Sequence, residues 1–232
     1  MDTGIYTIIN RSKRLIVCFG GINLKFGGIL PSDFLTYLST IYENVDFIFV
    51  NDLHKCVYQK GLKDITENID ETVLYLNNII RHGNYDKVIF MGTSTGGYAS
   101  ILFGSLCHVH NVISFVPYTI LKNSIDTSYS NLKHIINDST QYVVYGDTSI
   151  THPICMHYIL HNDITTNVSC MTCHTHKKTC HSDINCRHHI THCDNIDHFK
   201  NVHIIRNHGY DMKQIVESGL LKKYIDDAIS GV

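Results

Sequence analysis

Short unbroken apolar runs alternate along this chain with stretches in which apolar residues recur every three to four positions. Leu15-Ile16-Val17-Cys18-Phe19, Phe47-Ile48-Phe49-Val50 and Val88-Ile89-Phe90-Met91 are runs of the first kind. A strand with one wet face alternates apolar and polar residues, whereas a strand buried on both faces of a parallel sheet does not. Strands are therefore predicted over 5–10, 14–19, 45–50, 87–91, 112–116, 141–145 and 202–205. Between them the helical period appears. Over 64–81, Ile65, Ile69, Val73, Leu76, Ile79 and Ile80 share one stripe, and 31–42 opens on Pro31-Ser32-Asp33, a favourable helix start. Further helices are predicted over 95–107, 129–136 and 212–229.

Strands alternating with helices imply right-handed crossovers and an α/β fold, a mainly parallel sheet of six to seven strands with helices on both faces. The alternation fills 1–161 and resumes over 199–232. The intervening 162–198 has no apolar period and too few apolar residues to bury a core of its own. It reads as an insertion before the last strand of a single domain.

Composition narrows the function classes. A formal net charge of -2 gives no general attraction to nucleic acid or to an anionic membrane. No run reaches the roughly 18 apolar residues of a membrane span. The N-terminus has neither a basic region nor a long apolar one, so a cytoplasmic location is expected. The nine Cys then read as reduced thiols or metal ligands rather than disulfides.

The chemistry concentrates in Lys87-Val88-Ile89-Phe90-Met91-Gly92-Thr93-Ser94-Thr95-Gly96-Gly97-Tyr98-Ala99. An apolar strand runs into Gly-x-Ser-x-Gly and then into a helical pattern, the arrangement of a nucleophile elbow. A sharp strand-to-helix turn lifts a serine hydroxyl clear of the sheet, where a substrate and a base both reach it. The backbone is strained there, so its neighbours must be small, and Gly92, Gly96 and Gly97 supply the room. A phosphate-binding loop is excluded because no Lys follows the last glycine. A dinucleotide fingerprint is excluded because Phe19-Gly20-Gly21-Ile22-Asn23 after an early strand lacks its glycine spacing.

These residues and their context resemble the α/β-hydrolase superfamily over most of the chain apart from the insertion. The stretch from Gly92 through Gly97-Tyr98-Ala99-Ser100-Ile101-Leu102-Phe103-Gly104-Ser105 to Leu106 is also similar to a subgroup found in bacterial surface-polysaccharide loci and large DNA viruses. The resemblance implies a triad in the chain order serine, acid, histidine. Ser94 is the nucleophile it implies. Asp147, after the strand two beyond the elbow strand, is the acid, with Asp163 as the fallback. His208, in the loop after the last strand, is the base, in preference to His203 within that strand. The oxyanion donors it implies are the N–H groups of Thr95 and Gly21, although Phe19 stands where many members have a histidine. The alternative for Asp147 is a solvated turn aspartate, and for Gly20-Gly21 a plain tight turn.

The insertion carries a second candidate chemistry. Cys170, Cys173, His174, His176, Cys180, His181, Cys186 and Cys193 offer thiolate and imidazole, the usual zinc set, and Cys170-x-x-Cys173 is half of a structural site. A zinc ion there would order a segment that has no core. The other reading is a tandemly expanded near-heptad, in Thr172 to Lys178, Thr179 to Asn185 and Cys186 to His192, whose Cys and His arose by repetition.

The expected function is a serine hydrolase, or an acyltransferase, acting on a small-molecule or acyl substrate through an ester or thioester. The hydrolase core requires no cofactor in this reading. The alternatives are a hydrolase-fold binding protein without catalysis, and a metal-binding protein acting through the insertion.

Overall fold

The computed structural model describes residues 4–121, 124–147, 199–207 and 211–231. Seven strands form one sheet: β1 (Ile5–Ile8), β2 (Arg14–Phe19), β3 (Asp46–Val50), β4 (Lys87–Thr93), β5 (Asn111–Phe115), β6 (Gln141–Asp147) and β7 (Val202–Asn207), in the order β1-β3-β2-β4-β5-β6-β7. Only β1 is antiparallel, pairing with β3; every other neighbouring pair is parallel. The helices are α1 (Pro31–Ile41), α2 (Ile69–Gly83), α3 (Thr95–Leu106), α4 (Met212–Glu217) and α5 (Leu220–Ser230).

The apolar runs are buried on both faces, as parallel strands covered by helices require. Leu15, Val17 and Phe19 of β2 join Val88 and Phe90 of β4 in the layer that includes Leu76 of α2 and Tyr98, Leu102 and Phe103 of α3. Ile16 and Cys18 point the other way, with Ile89, Met91 and Ile113, into a layer closed by Phe34 and Leu38 of α1 and by Met212, Leu221 and Ile225 of α4 and α5. The period-2 geometry of a strand assigns neighbouring residues to opposite layers. Each fully buried Leu, Ile or Phe contributes about 1.5–3 kcal/mol, so two such layers hold the sheet in the middle of the fold.

Local polar chemistry moved several predicted helix boundaries. Residues 64–68 precede α2 rather than opening it, because Asp64 has φ +62° and Asn68 caps the helix. The Asn68 side chain accepts the Glu71 N–H at 2.8 Å, and the Glu71 carboxylate in turn accepts the Glu67 N–H at 2.8 Å. The predicted helix over 129–136 is instead two 3-10 turns, Thr127–Tyr129 and Leu132–His134. There Asp126 and Asn131 each accept the N–H two residues on, at 2.9 and 3.1 Å, a local bond that competes with an α-helical ladder. The predicted helix over 212–229 is divided into α4 and α5 by Gly219 at φ +77°.

β1 stops at Ile8, short of the predicted 10, and β5 is shifted back by one residue, whereas the C-terminal ends of β4, β6 and β7 moved outward. β4 runs on to Thr93 and β6 to Asp147, so Asp147 is the last residue of its strand and not the turn residue beyond it. Its backbone is in register with Asn207 at the end of β7, and this pairing carries both strands past their predicted ends. Among the described residues no helix is long and apolar enough to cross a membrane.

Candidate active site

Ser94 joins β4 to α3 with φ +56° and ψ -116°, a conformation that side-chain-bearing residues rarely adopt and that costs about 1–3 kcal/mol. From Val88 to Ser105 every residue is buried except Ser94, which is half-buried. The turn is pinned on both sides. The Ser94 N–H donates to the Phe115 carbonyl at the end of β5 at 2.9 Å, and the Ser94 carbonyl accepts from the Tyr98 N–H at 3.1 Å.

The glycines around it are steric necessities. A Cβ on Gly92 would lie 1.9 Å from the Gly96 carbonyl oxygen, and one on Gly96 would lie 2.1 Å from the Phe19 oxygen and 2.6 Å from the Gly20 oxygen. Both obstacles are backbone, which cannot rotate away as a side-chain tip can. Gly96→Ala is therefore expected to force α3 and the loop after β2 apart, at a cost of about 1–3 kcal/mol. A lower melting temperature together with a slower rate would record it; a variant matching the wild type in both would show that the close approach is not needed.

Thr95, Gly96 and Gly97 open α3, and the first N–H groups of a helix have no partner within it. They lie beside Ser94 at the positive end of the helix dipole, with no acidic residue in that first turn to neutralise it. Thr95 itself is buried, and its Oγ1 has no hydrogen-bond partner among the described residues.

Gly21 borders the nucleophile. A Cβ placed on it would sit 3.3 Å from the Thr93 oxygen and 3.7 Å from the Ser94 Cβ. The structure thus brings Ser94, Thr95 and Gly21 together. The Gly21 N–H, however, donates to the Lys25 carbonyl at 2.8 Å, within its own loop. Phe19, at the position of the missing histidine, is a core residue with no exposed surface, stacked on Phe103 at 5.7 Å.

Asp147 ends β6, two strands from β4 and on the same edge of the sheet as Ser94. Two strand spacings amount to about 10 Å. His208 follows directly on β7 and lies outside the described residues, as do Asp163 and the insertion with its eight candidate zinc ligands. His203 lies within β7 with an exposed side chain. Among the described residues no group of three or more His, Cys, Asp and Glu is placed to hold a metal ion. Three described cysteines, Cys18, Cys56 and Cys107, are free, and burial pushes each thiol pKa up and away from the reactive thiolate.

One neighbour of the site had no signal in the sequence. Tyr58 is fully buried, and its hydroxyl donates to the Gly20 carbonyl at 2.8 Å. It stands in an irregular stretch without apolar period, where nothing local marks one tyrosine as buried.

An all-parallel sheet flanked by one antiparallel edge strand, with a strained serine between the elbow strand and a buried helix, is the α/β-hydrolase fold. No family model matches the sequence, and no curated protein does. Solved structures match it through the fold. FphF, a fluorophosphonate-binding serine hydrolase of Staphylococcus aureus, superimposes with a TM-score of 0.56 at 10% identity, over 94% of this chain and 84% of that one. The Pyrococcus furiosus esterase Pf2001 gives 0.56 at 10% identity, over 97% and 86%. The Glycosylation Associate Protein (Gap123) complex from Streptococcus agalactiae gives 0.55 at 12% identity over 95% of this chain, which spans 43% of that one.

Proposed function

We propose that this protein is a serine hydrolase that cleaves an ester or thioester, or transfers the acyl group, through an acyl-enzyme on Ser94. The observation that carries this reading is the backbone of Ser94. A residue held at φ +56° between two glycines on which a Cβ would strike backbone, and left half-buried in an otherwise buried stretch, is strain retained for a purpose. The kinship of fold with FphF and Pf2001, a serine hydrolase and an esterase, supports it.

In this mechanism the Ser94 hydroxyl attacks the carbonyl carbon while His208 takes its proton. The carbonyl π pair moves to oxygen, and the oxyanion is met by the Thr95 N–H at the start of α3 and by an N–H of the loop after β2. For Gly21 to be that second donor, its N–H must share or exchange the Lys25 carbonyl for the oxyanion. Collapse of the intermediate expels the alcohol or thiol, which takes the proton from His208. Water, or an acceptor alcohol, then repeats the sequence on the acyl-enzyme and restores Ser94. Asp147 holds the imidazole tautomer and stabilises the imidazolium.

An active-site fluorophosphonate tests the reading directly. One adduct per chain is expected, on the peptide that carries Ser94, and none on the Ser94→Ala variant. A folded wild type that takes up no probe, and hydrolyses no member of an activated ester and thioester panel, would refute it.

A further inference from the structure

Residues 51–66, between β3 and α2, form no regular element, yet they bury Tyr58 completely. Reaching that position requires unusual backbone. Lys55, Val57 and Tyr58 have φ of +52°, +60° and +61°, and for β-branched Val57 this is a particularly disfavoured region. Asp52, buried two residues beyond β3, holds the turn. Its Oδ2 accepts the Cys56 N–H at 2.7 Å and the Tyr58 N–H at 2.8 Å. The turn aims the phenol inward, where its ring meets Phe19 and Phe103 edge-on at 5.7 and 6.3 Å.

Tyr58 Oη lies 2.8 Å from the Gly20 oxygen and 3.0 Å from the Val50 oxygen. One hydroxyl proton serves one carbonyl at a time. Val50 already accepts the Gly20 N–H at 2.9 Å, so the phenol proton is worth more at Gly20. The Gly20 carbonyl belongs to the same planar unit as the Gly21 N–H, so whatever turns one turns the other. Two successive glycines have no side chain to restrict that rotation, so hydrogen bonds hold the plane. The Lys25 carbonyl accepts the Gly21 N–H at 2.8 Å on one side, and the Tyr58 phenol is the one tether on the carbonyl side that stays in place when that N–H turns to an oxyanion.

We propose that Tyr58 is a positioning residue for acyl transfer at Ser94, its phenol fixing the plane of the Gly20–Gly21 peptide and with it the direction of the N–H beside the nucleophile. The proposal rests on the serine hydrolase reading and adds to it a residue that never touches the substrate. Burial first, and then the Asp52 charge, push the phenol pKa well up, so the group keeps its proton around neutral pH.

Tyr58→Phe keeps the ring and removes only the donor. Assayed on a p-nitrophenyl ester beside wild type and Ser94→Ala, it is expected to lose about 10–100-fold in kcat with KM changed less than about threefold, since the misplaced N–H counts only against the oxyanion. The loss should be constant from pH 6 to 9, roughly, because the phenol does not titrate there. Affinity for a trifluoromethyl ketone, whose serine adduct carries the oxyanion, should fall in parallel with kcat/KM. A folded Tyr58→Phe with kcat within about twofold of wild type, or with the change confined to KM, overturns the proposal while leaving the hydrolase reading intact. A wild type that neither hydrolyses esters nor labels at Ser94 overturns both. Should Tyr58→Phe not fold, 4-aminophenylalanine at this position, a weaker donor of similar shape, replaces it. The same kcat-only signature is then expected at about two- to tenfold, and an unchanged kcat overturns the proposal.

Discussion

Ser94→Ala is expected to reduce kcat/KM for an activated ester by about four orders of magnitude or more, with the fold intact. The hydroxyl is the only group in the elbow that can form the acyl bond, and Thr95 beside it is buried. The stability side of the prediction follows from the backbone. Alanine keeps the Cβ that makes φ +56° costly, so the strain is unchanged and the melting temperature should move little. Ser94→Gly removes that Cβ as well, and should be equally inactive but more stable, by about 1 kcal/mol. Thermal unfolding and ester hydrolysis on the three proteins check both halves together. A residual rate above about a tenth of wild type in Ser94→Ala would take the nucleophile role away from this residue. Equal melting temperatures for the Ala and Gly variants would remove the strain from the account.

The elbow was legible in the sequence because its parts are contiguous. Gly92, Ser94 and Gly96 follow one apolar strand and precede one apolar helix, and the structure places them at that junction with contacts only glycine tolerates. The inner strands β2, β3 and β4 were legible for the same local reason, since burial on both faces leaves an unbroken apolar run at each. Helix ends were less so. Asn68, Asp126 and Asn131 stop or redirect the chain through side-chain bonds to nearby N–H groups, and such residues also occur inside helices without doing this. The engagement of Gly21 N–H by Lys25, and of Gly20 carbonyl by Tyr58, depends on contacts across 4 and 38 positions of sequence. Periodicity carries no record of such pairs. Phe19 shows the same limit from the other side: as a sequence it is a departure from the resemblance, whereas in the fold it fills the layer between Tyr58 and Phe103.

His208→Ala is expected to lose activity to nearly the same extent as Ser94→Ala, and the double variant should be scarcely worse than either, because triad members act as one unit. The expectation comes from the sheet. Asp147 and Asn207 are in register at the ends of β6 and β7, so both strands end at the edge of the sheet from which Ser94 rises, and His208 is next in sequence. A base must be neutral to take the serine proton. The wild-type rate should therefore rise with pH as the base loses its proton and level off once it is neutral. Protonation of the base removes the acceptor, which gives the low-pH limb its sign. His203 is the control, an exposed histidine within β7, and His203→Ala should keep the wild-type rate and pH profile. Asp147→Asn should fall between, since it leaves the base in place but no longer holds its tautomer. Loss of activity in His203→Ala with a functional His208→Ala would move the base into the strand and require a different approach of the last loop to Ser94.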